Sequence, residues 1–533
     1  MITFHRSLIL GCSAIALAGC GADEIVSPGT GGDVIINNPT PSPTPTPTPT
    51  PTSTLVTPAA GCPTIADPAG LTDAGTISGP TGEYRVCRLP AAFSTSSTLP
   101  RIAGLLYQID GQVDVGTDGG PAPDASDGAS DSNVVLTIEP GVILFASGSS
   151  FLNVNRGNDI AANGTAARPI IFTSRDNVLG LNNANSSGQW GGVILNGRAP
   201  VTDCSATGAT PGTVNCERLV EGATTPPRYG GATPGDSSGS MTFVQIRYSG
   251  FILSNGDELQ SLTTGGVGSG TTFNNVMSYN SSDDGMEFFG GVINGRRIVV
   301  VGAEDDSLDT DTGVKANFQE VIVVQRASAG DTIIEADSAN TLEENTPRQN
   351  TRISNATFIG NSATGDQLIR IRGKADFTIV NSILFDQKTA APTPCLRIDG
   401  SDTLNRAAST ALDEAGPVVF NSFVLDCGTD FRDSSGGVAA AQIQARYDTG
   451  SNNNSGFTNS LTGLGGAPFI NGANENGVTV FDPTALSSFF TSLGYIGAVQ
   501  NAAGNWAETW TCNSPTVTLG TANTGACSSL PTT

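Results

Sequence analysis

Histidine is almost absent from this sequence: the chain of 533 residues contains only His5. Ser-His-Asp and Cys-His catalytic sites need an imidazole, as do histidine-ligated metals and haem, so the sequence after residue 5 excludes these sites. Lysine is also scarce and occurs only at Lys315, Lys374 and Lys388. Aromatic residues make up 6% and charged residues 14%, against 66 glycines and 31 prolines. This composition argues against a helical bundle and against a membrane-spanning protein.

Positive charge is in short supply. The 25 lysine and arginine residues stand against 49 aspartate and glutamate residues, which gives a net charge of -24. Because such a chain repels polyanions, we expect no nucleic-acid partner. We also expect no nucleotide cofactor and no haem.

The apolar run near the N-terminus is short and covers residues 7–17. A transmembrane helix needs ~20 apolar residues, so this run is typical of a secretory signal peptide instead. Residues 17–20, Leu-Ala-Gly-Cys, resemble a bacterial lipobox. The resemblance implies a lipoprotein signal peptide at 1–19, lipidation of Cys20 and sorting to the outer membrane. The alternative is an ordinary signal peptide followed by an unrelated cysteine.

Residues 20–58 are predicted to form a disordered tether. Proline and threonine alternate from Pro39 to Thr54, and this composition favours extended polyproline II at ~3.1 Å per residue. A lipid on Cys20 would make the membrane a partner of the chain. The tether would then hold the folded part away from the outer membrane, at the cell surface or on the periplasmic face.

Eight cysteines remain besides Cys12 and Cys20, and an even number predicts disulfides in an exported chain. We predict that each cysteine pairs with its nearest neighbour along the sequence. The predicted pairs are Cys62–Cys87, Cys204–Cys216, Cys395–Cys427 and Cys512–Cys527. A cysteine-rich metal site is the weaker interpretation, since no Cys-x-x-Cys spacing occurs.

Short segments rich in Val, Ile, Phe and Thr recur along the chain, each with a polar residue before an apolar stretch. The polar residues are Gln245, Asn275, Arg297, Glu320, Asn355, Asn381 and Asn421. Their separations of 30, 22, 23, 35, 26 and 40 residues indicate a period of 22–23 with loop insertions. A repeat of this length cannot bury its own apolar face, so the repeats must stack.

A second strand follows in five of the repeats, where an aspartate precedes Leu, Met or Ile by two residues. These aspartates are Asp257, Asp284, Asp306, Asp331 and Asp366. Two strands per repeat, with polar residues where the chain turns, predict an all-β fold of the parallel β-helix type. An antiparallel sandwich is the main alternative, but its hairpin signals are sparse here.

Three strings are typical of one family: residues 136–143 (Leu-Thr-Ile-Glu-Pro-Gly-Val-Ile), 189–198 (Gln-Trp-Gly-Gly-Val-Ile-Leu-Asn-Gly-Arg) and 280–291 (Asn-Ser-Ser-Asp-Asp-Gly-Met-Glu-Phe-Phe-Gly-Gly). They resemble exported bacterial right-handed parallel β-helix lipoproteins, a largely uncharacterised family. The resemblance extends over about residues 100–512. It implies a right-handed solenoid and export, and it carries no established activity.

The folded part is expected to have three regions. We predict an N-terminal cap region at 59–133 with an Asp-rich loop, the β-helix at 134–430, and a C-terminal cap of loops and short helices at 431–533. The terminal coil of a solenoid is an open sheet edge, which is why its ends need cover.

The densest charge lies between residues 283 and 311, where eight acids stand against two arginines. Three pairs of acids are 22 residues apart, which is one coil, so we expect their carboxylates to stack ~4.8 Å apart. Like charges this close raise pKa values or recruit a cation. We therefore predict a Ca²⁺ site. Its candidate ligands are Asp283, Asp284, Glu287, Asp305, Asp306, Asp309 and Asp311. The alternative is that the aspartates only cap turns.

An enzyme that degrades polysaccharides is a second functional interpretation. Stacked Asp284 and Asp306 would match the ~5 Å separation of the two carboxylates in retaining glycoside hydrolases. By resemblance, β-helical lyases combine Ca²⁺ with an arginine or lysine base, and the candidate bases are Arg296, Lys315, Arg370 and Arg372. Arg370 and Arg372 are alternatively partners of neighbouring acids. Because no lyase signature is present, we favour a protein without catalytic activity.

The interpretation that we favour is binding or adhesion. A rigid solenoid on a lipid-anchored tether offers a long face to a glycan or to an outer-membrane protein. Trp190, beside Gly191 and Gly192, is a candidate platform for stacking on a sugar, and core packing is the alternative.

Overall fold

The computed structural model describes residues 55–532, apart from 125–127, 130, 222, 224, 255–256, 339–340 and 435. The predicted signal peptide, Cys20 and residues 20–54 of the tether lie outside the described residues. Within the described part, no helix combines the length and the apolar character that a membrane crossing requires.

Strands account for most of the regular structure. In chain order they are β1 Thr72–Gly79, β2 Gly82–Arg88, β3 Ala92–Phe93, β4 Ser97–Leu99, β5 Leu105–Gln108, β6 Gln112–Val115, β7 Val135–Ile138, β8 Ile143–Ala146, β9 Phe151–Val154, β10 Asp159–Asn163, β11 Ile170–Ser174, β12 Val193–Asn196, β13 Arg218–Leu219, β14 Arg228–Tyr229, β15 Gly239–Arg247, β16 Ile252–Ser254, β17 Asp257–Glu258, β18 Leu262–Gly265, β19 Thr272–Tyr279, β20 Met286–Phe289, β21 Val292–Val301, β22 Leu308–Asp311, β23 Lys315–Val324, β24 Ile334–Ala336, β25 Asn350–Gly360, β26 Ile369–Ile371, β27 Asp376–Asp386, β28 Leu396–Ile398, β29 Val419–Asp426 and β30 Asn454–Ser455. The helices are α1 Arg175–Leu179, α2 Ser401–Asn405, α3 Ala440–Tyr447 and α4 Ala473–Asn476.

Two sheets share these strands, and the chain alternates between them. The large sheet has 16 strands and follows the order β1-β2-β5-β8-β11-β15-β19-β21-β23-β25-β27-β29-β30, with β4, β7 and β10 beside that path. The small sheet follows the order β3-β6-β9-β12-β18-β20-β22-β24-β26-β28. Neighbouring strands pair in parallel in both sheets, except for the antiparallel pair β1–β2. The predicted parallel β-helix is confirmed, and the antiparallel sandwich is excluded.

The long strands of the large sheet bend at one residue in each coil. Five of the predicted polar positions have a left-handed backbone at this bend: Asn275, Arg297, Glu320, Asn355 and Asn381, with φ between 50° and 61°. The prediction was wrong for the other two positions. Parallel register with the neighbouring coils places Phe243 and Ser422 at the bend, both at φ 51°. The bend is set by backbone register and not by polarity, so a polar neighbour was mistaken for the bending residue.

The core fills the space between the two sheets. Inward-facing Val276, Ile298 and Val321 from successive coils are 0–2% exposed and belong to one continuous apolar cluster. Trp190 is 0% exposed, stacks on Phe172 at 6.5 Å between ring centroids, and donates its Nε1 hydrogen to the Arg247 carbonyl at 2.8 Å. Core packing is therefore the role of Trp190, and the sugar-stacking hypothesis is wrong.

Parallel pairing already begins inside the predicted N-terminal cap region. Strand β2 pairs with β5, and β3 pairs with β6, in the same parallel sense as the later coils. Two aspartates of the Asp-rich loop contact buried arginines: Asp118 bonds Arg156 at 2.6 Å, and Asp131 bonds Arg198. These two ion pairs fix both ends of the loop against the solenoid.

The C-terminal region differs from the simple end cap that we predicted. Ile443 and Tyr447 of α3 join the core and cover the last coil. From residue 457 the chain runs back along the outside of the large sheet, and we call residues 457–532 the C-terminal strap. Contacts of the strap reach from Ser422 near the last coil to Asn177, which donates to the carbonyl of Cys527. The outer face of the large sheet is apolar and needs this cover, with Tyr248, Met277, Val299 and Ile322 all packed against strap residues.

Four disulfides join the cysteines as predicted, each to its nearest neighbour in sequence. They are Cys62–Cys87, Cys204–Cys216, Cys395–Cys427 and Cys512–Cys527. Cys512–Cys527 closes the end of the strap. A cysteine-based metal site is thereby ruled out for these eight residues.

Candidate metal centre

The predicted acidic residues meet on the outer side of the small sheet. Side chains alternate along a strand, so Met286, Leu308 and Ile334 point into the core while the next residue of each strand points outward. Strand register places Glu287 beside Asp309, and Asp309 beside Glu335. Glycine helps the coils approach, since a Cβ on Gly285 would lie 2.6 Å from the Ser307 carbonyl oxygen.

The turns that enter these strands bring a second row of carboxylates. Asp284 accepts a hydrogen bond from the Asp306 backbone N–H at 2.8 Å, and Asp306 accepts one from the Thr332 N–H at 2.7 Å. Both aspartates therefore do cap the turn of the following coil, as the alternative interpretation held. Each cap uses the Oδ1 oxygen. Capping and cation binding are thus compatible.

Register also corrects the aspartate pattern from which the second strand was predicted. Leu308 pairs with Ile334, so Thr332 and not Asp331 follows Asp306 in the next coil. Asp257 lies in the antiparallel pair β16–β17 outside the stacked series. Adjacent apolar residues, such as Ile333 and Ile334, made the phase of the pattern ambiguous by one residue.

These rows line one depression of about 280 Å³, which we call the acidic cleft. Nine of its ten lining residues are carboxylic acids, and none is a base. The lining residues are Glu221, Glu258, Gln260, Asp283, Asp284, Glu287, Asp305, Asp306, Asp309 and Glu335. Glu221, Glu258 and Glu335 were not among the predicted ligands. Only Glu335 carries a sequence signal, because it stands one inserted coil of 26 residues after Asp309.

Carboxylate oxygens approach one another closely in the cleft. In four sets of three residues, one oxygen of each residue lies within 4.8 Å of the other two. The sets are Asp283/Asp284/Asp305, Asp284/Glu287/Asp309, Asp305/Asp306/Asp331 and Asp306/Asp309/Glu335. Several carboxylate oxygens converging on one point form the donor set that suits Ca²⁺.

Two of these acids lack the partners that buried carboxylates need. Glu287 is 8% exposed, and its side chain makes no hydrogen bond or ion pair among the described residues. The Oδ1 oxygen of Asp309 is also buried and finds no hydrogen-bond partner in the described part of the chain. Burying an unpaired charge is costly, so such a group needs a proton or a cation. The residues present therefore fit a bound cation.

Burial and mutual repulsion raise the pKa values of the carboxylic acids in the cleft. Burial, followed by repulsion from Glu258 and Asp305, raises the pKa of Asp283 to about 7. The same two causes, with burial the larger, hold the pKa values of Asp284, Glu287, Asp306 and Asp309 well above their ordinary range. Without a cation, the cleft therefore retains protons that isolated acids would have lost.

Asp311 is the predicted ligand that the structure leaves outside the cleft. It is two residues beyond Asp309, so it belongs to a separate outward row with Phe289. Its carboxylate accepts from the Thr312 N–H, and burial raises its pKa while Arg372 lowers it. Asp311 belongs to none of the four carboxylate sets.

Arg370 and Arg372 lie in the coil that follows Glu335 and form ion pairs with neighbouring acids. Arg370 follows Glu335 in register and contacts it at 3.1 Å, and it also contacts Asp399 at 3.0 Å. Arg372 contacts Glu335 at 2.8 Å and Asp337 at 2.9 Å. This arrangement matches the alternative in which the two arginines are partners of neighbouring acids.

The other two candidate bases lie on the large sheet and do not line the cleft. Arg296 in β21 stacks over the Phe489 ring at 5.2 Å and donates to the Phe489 carbonyl at 2.9 Å. Lys315 in β23 pairs with Asp413 at 2.7 Å. Strands of the two sheets face opposite sides of the coil, so the acids and these bases cannot form one site.

Comparison with known families agrees with the fold. The family profile described as pectate-lyase like beta helix domain matches residues 128–462, which is more than half of the chain. The chain belongs to this family. The matched residues include every strand of this chain that contributes a lining residue to the acidic cleft, from β17 to β24. No curated protein and no solved structure matches the chain.

Proposed function

We propose that this protein is a Ca²⁺-dependent binding module for glycans at the bacterial cell envelope. The observation that carries the proposal is Glu287, a carboxylate that is 8% exposed and has no protein partner among the described residues. It faces a cleft in which the other charged groups are also acids. Membership of the pectate-lyase-like β-helix family supports a role that involves polysaccharides.

Calcium is the cation that the donor set favours. All the close donor sets of the cleft consist of carboxylate oxygens, without nitrogen or sulfur. Ca²⁺ takes six to eight oxygen ligands in flexible geometry, whereas zinc and copper prefer imidazole and thiolate. Coordination positions that the protein oxygens leave open can be filled by water or by the hydroxyl and carboxylate oxygens of a sugar.

Binding without turnover is favoured over lyase chemistry because none of the described residues that line the cleft is a lysine or an arginine. The guanidinium groups of Arg370 and Arg372 each contact two carboxylates. Burial lowers the pKa of Arg370, but its bonds to Asp399 and the charge of Glu335 outweigh burial and raise that pKa, so Arg370 does not suit a base that takes a proton from a substrate.

A glycoside hydrolase is the second candidate. Its support is the pKa of about 7 for Asp283, which suits a general acid, together with carboxylate oxygens of Asp284, Glu287 and Asp309 within 4.8 Å of one another. Retaining hydrolases hold their two carboxylates at a similar separation of ~5 Å.

A polysaccharide panel separates the two candidates. Purified full-length protein would be mixed with neutral and acidic polysaccharides, in CaCl₂ or in EDTA. Retention that requires CaCl₂ and is lost in Glu287→Gln, without new reducing ends or unsaturated products, is the expected result. Asp366→Asn is the matched control, because Asp366 is exposed and lies outside the cleft. Release of sugars by the native protein would favour the hydrolase, and Ca²⁺-independent retention would contradict the proposal.

We further propose that a lipid on Cys20 anchors the protein in the outer membrane, with residues 20–54 as the tether. The predicted boundary at residue 58 is too late, because Val56 already pairs with Gly82 in the folded part. The support is the Leu-Ala-Gly-Cys string and the alternating Pro-Thr sequence. Palmitate labelling of the native chain and of Cys20→Ser tests the anchor. Equal labelling of both, or labelling of neither, would contradict it.

A further inference from the structure

The four carboxylate sets of the acidic cleft are two patterns, each repeated one coil further on. Moving one coil along the solenoid takes Asp284 to Asp306, Glu287 to Asp309 and Asp309 to Glu335. The set Asp284/Glu287/Asp309 thereby becomes Asp306/Asp309/Glu335. We call these the first triad and the second triad. Asp309 belongs to both.

We propose that the acidic cleft holds two divalent cations, one coil apart, and that the second must compete with Arg370 and Arg372 for Glu335. This inference rests on the proposed function, because it specifies how the same cleft is filled. The shared Asp309 bridges the two positions.

Charge supports a second cation. Four of the five carboxylates in the two triads contact no guanidinium among the described residues, and only Glu335 does, so a single divalent cation offsets only half of the negative charge of these four. Each triad also contains an unpartnered carboxylate oxygen. Glu287 belongs to the first triad, and the buried Oδ1 oxygen of Asp309 is available to either. A divalent cation in each triad offsets repulsion that the protein itself leaves in place.

The two positions differ in what the cation must displace. Glu287 has no protein partner among the described residues, so the first triad is open to a cation as it stands. Glu335 contacts two guanidinium groups, at 3.1 Å from Arg370 and 2.8 Å from Arg372. Binding at the second triad weakens these ion pairs and places a second positive charge near the first. The second site is therefore the weaker one.

The other pair of sets is a poorer choice for the two cations. Asp283/Asp284/Asp305 and Asp305/Asp306/Asp331 both depend on Asp305, which is exposed to solvent. An exposed carboxylate is hydrated and gains less from a cation than a buried one. The first and second triads are built from the deeper residues.

Calorimetric titration of the full-length protein with CaCl₂ tests the number and the order of the sites. We expect two binding events of unequal affinity in the native protein. Glu335→Gln is expected to lose the weaker event and to keep the tighter one. Arg372→Gln leaves all five ligands in place and removes one competitor for Glu335, so the weaker event should tighten about tenfold. Asp366→Asn should change neither event.

The outcomes separate this inference from the proposed function. Absence of any calcium binding in the folded native protein would overturn both. A single event that Glu335→Gln leaves unchanged, or a single event that Glu335→Gln abolishes, would overturn the two-site inference alone. Should Glu335→Gln fail to fold, Arg372→Gln still decides: an unchanged or weakened second event contradicts the competition for Glu335.

Discussion

Buried polar side chains on the two outer faces of the solenoid differ in whether the returning chain supplies them with partners. On the large sheet, the Gln319 amide donates to the Thr491 carbonyl at 2.6 Å and accepts from the Thr491 N–H at 3.0 Å. Asn381 exchanges the same two bonds with Phe481, at 2.9 and 2.8 Å. On the small sheet, Glu287 is also buried but has no such partner among the described residues.

This difference separates polar side chains that the chain itself satisfies from one that it leaves without a partner. The chain returns along the large sheet and supplies backbone partners to the buried amides of Gln319, Asn355 and Asn381, although the Nδ2 nitrogen of Asn275 has none among the described residues. It supplies none to Glu287 in the cleft, where the neighbours are further acids. Since buried polar groups are normally satisfied, the lack of a partner at Glu287 supports the cation site that we propose.

The largest expected effect comes from removing the C-terminal strap. Deleting residues 457–533 would expose Val299, Ile322 and Val324, which are fully buried. It would also remove the carbonyls of Cys527 and Ser529 from the buried Arg247 guanidinium. We expect loss of cooperative thermal unfolding in circular dichroism and rapid proteolysis. Deletion of residues 39–54 in the tether is the control and should change neither. A truncated chain that still unfolds cooperatively at the native temperature would show that the strap is dispensable.

A single strap residue should account for part of this effect. Trp510 is 0% exposed, meets the Phe243 ring edge-on at 6.1 Å, and donates its Nε1 hydrogen to the Trp506 carbonyl at 2.9 Å. Trp510→Ala should lower the free energy of unfolding by ~3–5 kcal/mol, because it leaves a large cavity. Trp510→Phe keeps most of the buried surface and should cost less in the same denaturant titration. Equal losses for the two variants would contradict a packing role.

The cleft should make stability depend on pH in a way that calcium removes. The pKa of Asp283 is raised to about 7 in the folded protein from an ordinary 3.8. A raised acid pKa means that the folded state binds the proton more tightly, so its stabilising contribution is complete below about pH 4 and is lost as the pH rises through 7. In EDTA the melting temperature should therefore fall over this range.

Saturating calcium should offset that fall, since the cation binds the deprotonated carboxylates. A calcium concentration of 100 times Kd stabilises the folded state by ~2.7 kcal/mol. Burial also raises the pKa values of Asp337 to about 7 and of Asp376 to about 8, outside the cleft. The informative quantity is therefore the difference between CaCl₂ and EDTA at each pH. Glu287→Gln should reduce this difference, and an undiminished difference would place the calcium effect elsewhere.

The smallest expected effect tests one amide contact of the strap. Gln319→Leu keeps the volume of the side chain but leaves the N–H and carbonyl of Thr491 without partners. It should cost ~1–3 kcal/mol in the free energy of unfolding. Gln444→Leu, on the exposed side of α3, is the control and should change stability by less than ~0.5 kcal/mol. Equal effects at the two positions would mean that the amide rows are not structural.

Features that repeat along the chain were predictable from the sequence. The 22-residue spacing of Asp283 with Asp305, and of Glu287 with Asp309, matches one coil, because parallel strands keep equivalent residues adjacent. Disulfides between neighbouring cysteines were predictable for a related reason, since chain segments close in sequence occupy the same or adjacent coils. The position of the bending residue within each repeat was less predictable, because Gln245 and Asn421 lie one or two residues away from the bend.

Features that depend on irregular segments were not predictable. Glu221 comes from a long loop between β13 and β14, and Glu258 from the antiparallel pair β16–β17, so neither carries the period of the coils. The basic character of Arg296 and Lys315 gave no indication of which of the two sheets each residue would belong to. The described residues of the strap form isolated β-bridges and no named strand, so they produce no periodic pattern. An end cap was predicted only because the end of a solenoid needs cover.

The amino-acid sequence alone determined that this chain winds into stacked parallel coils, because each repeat has too little apolar surface to fold by itself and equal spacing brings equal side chains together. Tertiary structure decided which polar rows receive a partner from the chain and which do not. That choice depends on where the strap and the loops return to the solenoid, a long-range contact that no local spacing encodes. It is why Gln319 is part of the fold while Glu287 is left facing the acidic cleft.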